Sequence, residues 1–195
     1  MELTRVADDI ADALVEIDAT RVCFKAFQPG IGPYGEPQLV SALKQRLNQL
    51  ALYKGLVITK RTPDLVIKGH WALEFKIARP FGDNGKQAEN WSVNLLHPYE
   101  GNVSALGDCL RLLGLSVPER KAVVVVGYEH TPPRITLAPL LHAFEVVAKH
   151  VASVQLSEQI RVTRLELVHP VHQQLTVACW EVLGHTPQGK TSFLS

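Results

Sequence analysis

An aspartate, a glutamate and a lysine stand at a spacing that could support chemistry. In TPDLVIKGHWALEFKIARP, residues 62 to 80, Asp64 opens one short apolar run, and Glu74 and Lys76 sit inside a second. Nine residues separate the two acids, and Lys68, Gly69 and His70 lie between the runs. If these three form a loop, with Gly69 in the left-handed conformation such turns need, Ile67 pairs with Trp71, Leu65 with Leu73 and Asp64 with Glu74. Side chains two apart on a strand share a face. Leu65, Ile67, Trp71, Leu73 and Phe75 then line one face, and Asp64, Glu74 and Lys76 the other. A two-residue loop would slip the register by one and send Glu74 to the opposite side.

Directly opposed strand residues hold their Cβ atoms roughly 5 Å apart. Two carboxylates that close repel, and one pKa rises unless a cation lies between them. Mg²⁺, with Mn²⁺ as a substitute, answers this with oxygen ligation. Asp64 and Glu74 are the expected ligands, and the backbone carbonyl of Phe75 offers a further oxygen. Lys76 beside such an ion could hold a water molecule for attack on phosphorus, the ion lowering the pKa of that water. Taken singly, each of these charges also fits the exposed face of a strand.

These residues need a sheet with helices around it. Helical spacing of apolar residues is expected over 2–18 and 38–53, and again over 103–115 and 137–153. Asn102 is the expected cap of the third of these helices. RVCFKAF (21–27) and LVITK (56–60) read as strands. KAVVVVGYE (121–129) reads as a strand buried on both faces, and IRVTRLELV with QLTVACWEVL as a closing hairpin. Between Arg79 and Asn102 lies a long stretch rich in Gly, Asn and Pro, a length that in a compact domain marks function or mobility.

The order gives an α/β chain of one domain over 1–195, with a mixed core over about 36–127. A helix and strand are added before that core, and a helix and β-hairpin after it. At 195 residues and 46% apolar content the chain can bury a sizeable core. A formal net charge of +1 leaves no global footprint for a polyanion. No run of about 18 apolar residues occurs, so a cytoplasmic protein with no membrane partner is expected. Cys23, Cys109 and Cys179 form no close pair and read as small core residues.

The hairpin resembles the PD-(D/E)XK nuclease superfamily, whose fold is the restriction-endonuclease-like fold. Pro63, Asp64, Glu74 and Lys76 match its motif, and the α-β-β-β-α-β order over about 36–127 matches its core. The resemblance implies a metal-dependent endonuclease that hydrolyses phosphodiester bonds, usually in DNA. Asp64 and Glu74 would bind metal, and Lys76 would assist the nucleophile. Many members carry a further metal-site acid on the helix before the first core strand, and Glu36 is its best match here. In such a fold the later helix packs beside the active sheet, so Ser104, Asp108 and Arg111 could face the cleft, with Arg111 on a phosphate. The same residues equally make an ordinary amphipathic helix with an Asp108–Arg111 pair.

In the long loop, Lys86 and His97 are candidates for phosphate contact, and its aromatics for base stacking. Lys60, Arg61, Lys68, Arg79 and Lys86 are the basic residues expected against double-stranded DNA. Cutting two strands with a small domain calls for two sites, hence a homodimer. The alternative is a catalytically inactive or partner-gated subunit of the same fold in a defence or repair assembly.

Two other signals are weaker. GHTPQGKT, 184–191, fits a phosphate-loop pattern, but too few residues follow it for the helix such a loop requires. His169 and His172 have a metal-like spacing without a third ligand nearby in sequence, and read as part of a hairpin turn.

Overall fold

A computed structural model describes residues 1–24, 28–98 and 103–185. Val6, Ile10 and Leu14 fall on one stripe of α1 (Leu3–Ala19) and are fully buried. Pro37 starts α2 (Glu36–Leu47), whose Leu39, Leu43 and Leu47 repeat every four residues and are likewise buried. A short 3-10 turn at Ala51–Tyr53 ends the segment expected as one long helix.

Three strands follow: β1 (Val57–Thr59), β2 (Leu65–Ile67) and β3 (Trp71–Ala78). They pair antiparallel in the order β1-β2-β3, with Leu65 opposite Leu73, Val66 opposite Ala72 and Ile67 opposite Trp71. The loop between β2 and β3 is the expected three residues. The His70 N–H donates to the Ile67 carbonyl at 2.9 Å, and Gly69 has φ +73°. That φ is why a glycine sits there.

The chain then crosses over through a helical turn, α3 (Val93–Leu96), and through α4 (Ala105–Gly114) to β4 (Arg120–Glu129), which lies parallel to β3. α5 (Ala138–His150) leads to β5 (Val154–Leu156), β6 (Ile160–Arg164) and β7 (Gln174–His185). β7 runs antiparallel to β4, and its other edge pairs with β6 along Leu175–Cys179 and with β5 along Val182–His185. The result is a mixed seven-stranded sheet flanked by helices.

The sheet separates two cores. Trp71, Leu73, Phe75 and Ile77 of β3 join Val124, Val126 and the buried faces of α1 and α2. Val123, Val125 and Ala78 join α4 and α5 with Trp180. All eight positions of β3 are buried. The strand face that carries Glu74 and Lys76 is therefore covered and not open to solvent.

Several expectations change. Residues 21–24 form no strand but only an isolated bridge from Cys23 to Pro29, and 25–27 lie outside the described residues. Cys23 is exposed, while Cys109 and Cys179 are buried as expected. Ser104, not Asn102, caps α4, because its hydroxyl is positioned to accept the Gly107 N–H at 3.1 Å. Asn102 and residues 186–191 of the phosphate-loop pattern are outside the described residues. β5 is an addition, three residues too short to show a period. Among the described residues no helix is long and apolar enough to cross a membrane.

Candidate active site

One step beyond the Leu65–Leu73 pair, the hairpin register sets Asp64 opposite Glu74. Backbone contacts orient Asp64. The Phe75 N–H donates to its Oδ2 at 2.8 Å, and its carbonyl accepts the Lys60 N–H at 3.2 Å. Glu74 is 2% exposed, and a side-chain hydrogen bond joins it to Asp64. Burial, and next the charge and hydrogen bond of Asp64, push the Glu74 carboxyl up to about 8. Its Oε1 is buried with no hydrogen-bond partner among the described residues.

Lys76, two residues along the same face, is 7% exposed. Its ammonium donates to Glu36 Oε2 at 2.9 Å and to the Phe75 carbonyl at 3.2 Å. It also lies 3.0 Å from Asp108 Oδ2, close enough for an ion pair but not aligned as a hydrogen bond. The two acids reach it from different layers. Glu36 stands in the first turn of α2 and Asp108 in the first turn of α4, each where the helix N-terminus favours a negative charge. Asp108 is fully buried, and Arg111 takes its other oxygen.

Six ionisable side chains thus meet: Asp64, Glu74, Glu36 and Asp108 with Lys76 and Arg111. Four carboxyls less two cations leave two negative charges when all are ionised, the charge one divalent ion neutralises. Oxygen donors and an orphaned buried Glu74 oxygen suit a hard cation such as Mg²⁺.

The structure therefore brings together Asp64, Glu74, Lys76, the Phe75 carbonyl and Glu36. Two roles differ from expectation. The Phe75 carbonyl accepts from Lys76. Asp108 pairs with the exposed Arg111, one of the two readings of that helix, and also reaches Lys76, a link invisible in sequence because the two lie 32 positions apart. Ser104 is not in the cleft: its hydroxyl donates to the His97 carbonyl at 2.6 Å and caps α4. His97 is half-buried and Lys86 exposed. Arg79, expected on DNA, instead donates to the carbonyls of Gly32 at 2.6 Å and Tyr34 at 3.1 Å.

A second cluster went unseen in the sequence. Asp83, from the loop after β3, approaches His169 and His172 from the β6–β7 connection, with one ligand atom of each within 4.8 Å of the others. The histidine spacing is visible in sequence, but Asp83 lies 86 positions before His169. The hydrogen bonds assign the tautomers. His172 Nε2 bonds the Phe81 carbonyl at 2.9 Å, so it carries the proton and Nδ1 keeps a bare lone pair. His169 Nδ1 accepts the N–H groups of Val171 and His172 at 3.1 and 3.2 Å, which leaves the proton on Nε2. Burial pushes both imidazoles down, His172 to about 4, so both are neutral at pH 7. The cluster offers one N–H and one lone pair, not two lone pairs, and that is a poor donor set for a metal.

Set against known protein families, curated proteins and solved structures, the chain matches none of them.

Proposed function

We propose that the chain is a Mg²⁺-dependent phosphodiesterase acting on nucleic acid, with the restriction-endonuclease-like fold and the PD-(D/E)XK motif. The observation that carries this reading is the meeting of Asp64 and Glu74 across the hairpin, with an unsatisfied Glu74 oxygen and the Lys76 ammonium beside them. A buried carboxyl held near pKa 8 costs stability once ionised, and a cation ligand recovers that cost.

Asp64 and Glu74 would hold the ion, and Glu36, the most exposed of Lys76's partners, would join them. When bound, Mg²⁺ supplies a water of lowered pKa and charge stabilisation at phosphorus. Glu74 would release its proton to solvent on holding the ion. Lys76, if Glu36 turned to the ion, would keep Asp108 and the Phe75 carbonyl as partners and could hold the attacking water by its remaining N–H. The attacking water would lose a proton to bulk solvent as its oxygen bonds to phosphorus, the ester P–O bond would break, and the departing oxygen would take a proton from solvent.

A second reading has its own support. Lys76 already has two carboxylates, as a purely structural ion network would. That favours a binding or assembly subunit in which the motif only stabilises. Plasmid incubated with the protein and Mg²⁺ or Mn²⁺, beside Lys76→Ala, separates the two. Nicking by wild type and not by the variant is expected, and intact plasmid with both would leave the structural reading.

A further inference from the structure

Two cavities open on either side of Glu36, and their walls differ in charge. The smaller, about 340 Å³, sets Lys60 and Arg61 against Glu36 and Asp64, beside Ser41 and Thr59. Lys60 and Arg61 are exposed, and neither forms an ion pair within 4 Å among the described residues. Its two cations balance its two carboxylates, so of the two sides this is the one that can accept a phosphate.

The larger cavity, about 530 Å³, carries the carboxylates of Glu36, Asp83 and Glu89 beside Asn90, Trp91 and Asn94. Its one guanidinium, Arg79, is already held by the carbonyls of Gly32 and Tyr34. Three carboxylates repel a phosphate. They suit a flat neutral group that brings N–H donors, and a nucleobase is such a group, its exocyclic amine facing carboxylate or amide oxygens. The volume falls in the range of small-ligand sites, roughly 300–1,000 Å³.

Trp91 supplies the stacking surface. It is half-buried, and no other aromatic ring packs on it among the described residues. Phe81, in the same wall, is already engaged by His130 at 4.7 Å and by the Arg134 guanidinium at 5.9 Å.

We infer that the substrate of the Asp64–Glu74–Lys76 site is a nucleic-acid strand unpaired next to the scissile phosphate. The neighbouring base lies on Trp91, and the flanking phosphate on the other side meets Lys60 and Arg61. A base inside a duplex is stacked and paired, and reaches such a cavity only by extrusion, at an unstacking cost an unpaired base does not bear. The inference rests on the phosphodiesterase reading. It also removes the need for two sites, so a monomer suffices for one strand.

The test compares one labelled DNA oligonucleotide in three forms: single-stranded, fully paired, and paired with one unpaired nucleotide. Binding is read by anisotropy with Ca²⁺ in place of Mg²⁺, and cleavage with Mg²⁺, for wild type, Trp91→Ala, Trp91→Phe and the Lys60→Ala/Arg61→Ala pair. The single strand and the unpaired nucleotide should be preferred over the duplex at least ~10-fold. Trp91→Ala should lose about 5- to 150-fold on the unpaired forms, the range of one base–aromatic stack. Trp91→Phe should recover most of that loss, and the double variant should weaken binding to every form with a shallower salt dependence. Wild type handling paired and unpaired forms alike, or Trp91→Ala keeping the preference, overturns the inference and leaves the phosphodiesterase reading. Trp91-dependent binding without cleavage overturns the phosphodiesterase reading, and with it the assignment of the bound strand as a substrate. Binding to none of the three overturns both.

Discussion

Two buried polar clusters lie in the same molecule, and their orphaned atoms differ in kind. At Glu74 the orphaned atom is a carboxylate oxygen beside a second carboxylate, and burial strengthens its demand for positive charge. At the histidine pair the orphans are an N–H on His169 and a lone pair on His172. Both clusters have metal-like residue types. The hydrogen bonds around them, not the residue types, separate them. The backbone donates to His169 Nδ1 and uses up the atom that should carry the proton in a metal-bound ring, whereas Asp64 is oriented by the backbone and Glu74 Oε1 stays open.

The largest effect should separate the clusters by activity. Lys76→Ala and Glu74→Ala should each lower the plasmid nicking rate at least ~100-fold, the scale of removing a positioned charge or general acid–base group. His172→Ala, measured on folded protein, should stay within about threefold. A loss as great in His172→Ala would move the chemistry to the other cluster.

Stability divides them next. Asp108→Ala leaves the Lys76 and Arg111 charges without their buried partner and should cost about 3–5 kcal/mol in urea unfolding. A cost below about 1 kcal/mol would show that Lys76 is held by Glu36 alone.

The third effect depends on pH. Glu74 is raised from 4.5 to about 8 in the folded chain, so the folded state keeps a proton that the unfolded state has lost between those values. The stability this confers is complete below about pH 4.5 and is lost as pH rises through about 8. In EDTA, Glu74→Gln should therefore be more stable than wild type at pH 9, by on the order of 2–4 kcal/mol, and nearly equal at pH 4. Added Mg²⁺ should raise the wild-type melting temperature more at pH 9 than at pH 6, and leave the variant unmoved. A pH-independent difference between the two proteins would refute the raised carboxyl.

The smallest effect belongs to packing at the histidines. A Cβ on Gly32 would stand 2.3 Å from His172 Nδ1, so Gly32→Ala must displace a buried ring. The expected loss is about 1–3 kcal/mol by chemical denaturation, with the nicking rate of the folded fraction unchanged.

The hairpin was legible before any coordinates. Its alternation, the Lys68-Gly69-His70 turn and the face shared by Asp64, Glu74 and Lys76 all depend on neighbours in sequence, and the pairing of Leu65 with Leu73 agrees. β4 was equally plain, since a continuous apolar run fits a strand covered on both sides. Short elements were harder. RVCFKAF has strand-like residues, yet its described part makes one bridge, from Cys23 to Pro29. Ser104 looked like a cleft residue on helical spacing, and capping claimed it instead.

What the sequence by itself determined is local: the loop length that sets Asp64 against Glu74, and the apolar periods that make the helices and the central strands. Hydrogen-bonded turns and side-chain periodicity act over a few residues, so a few residues suffice to read them. The tertiary structure alone decided that Glu36 and Asp108 converge on Lys76 from opposite layers, that Arg79 is held by loop carbonyls, and that Asp83 meets two histidines. Those contacts join segments tens of residues apart, where only the packing of both cores on the sheet determines which charges share a dry space.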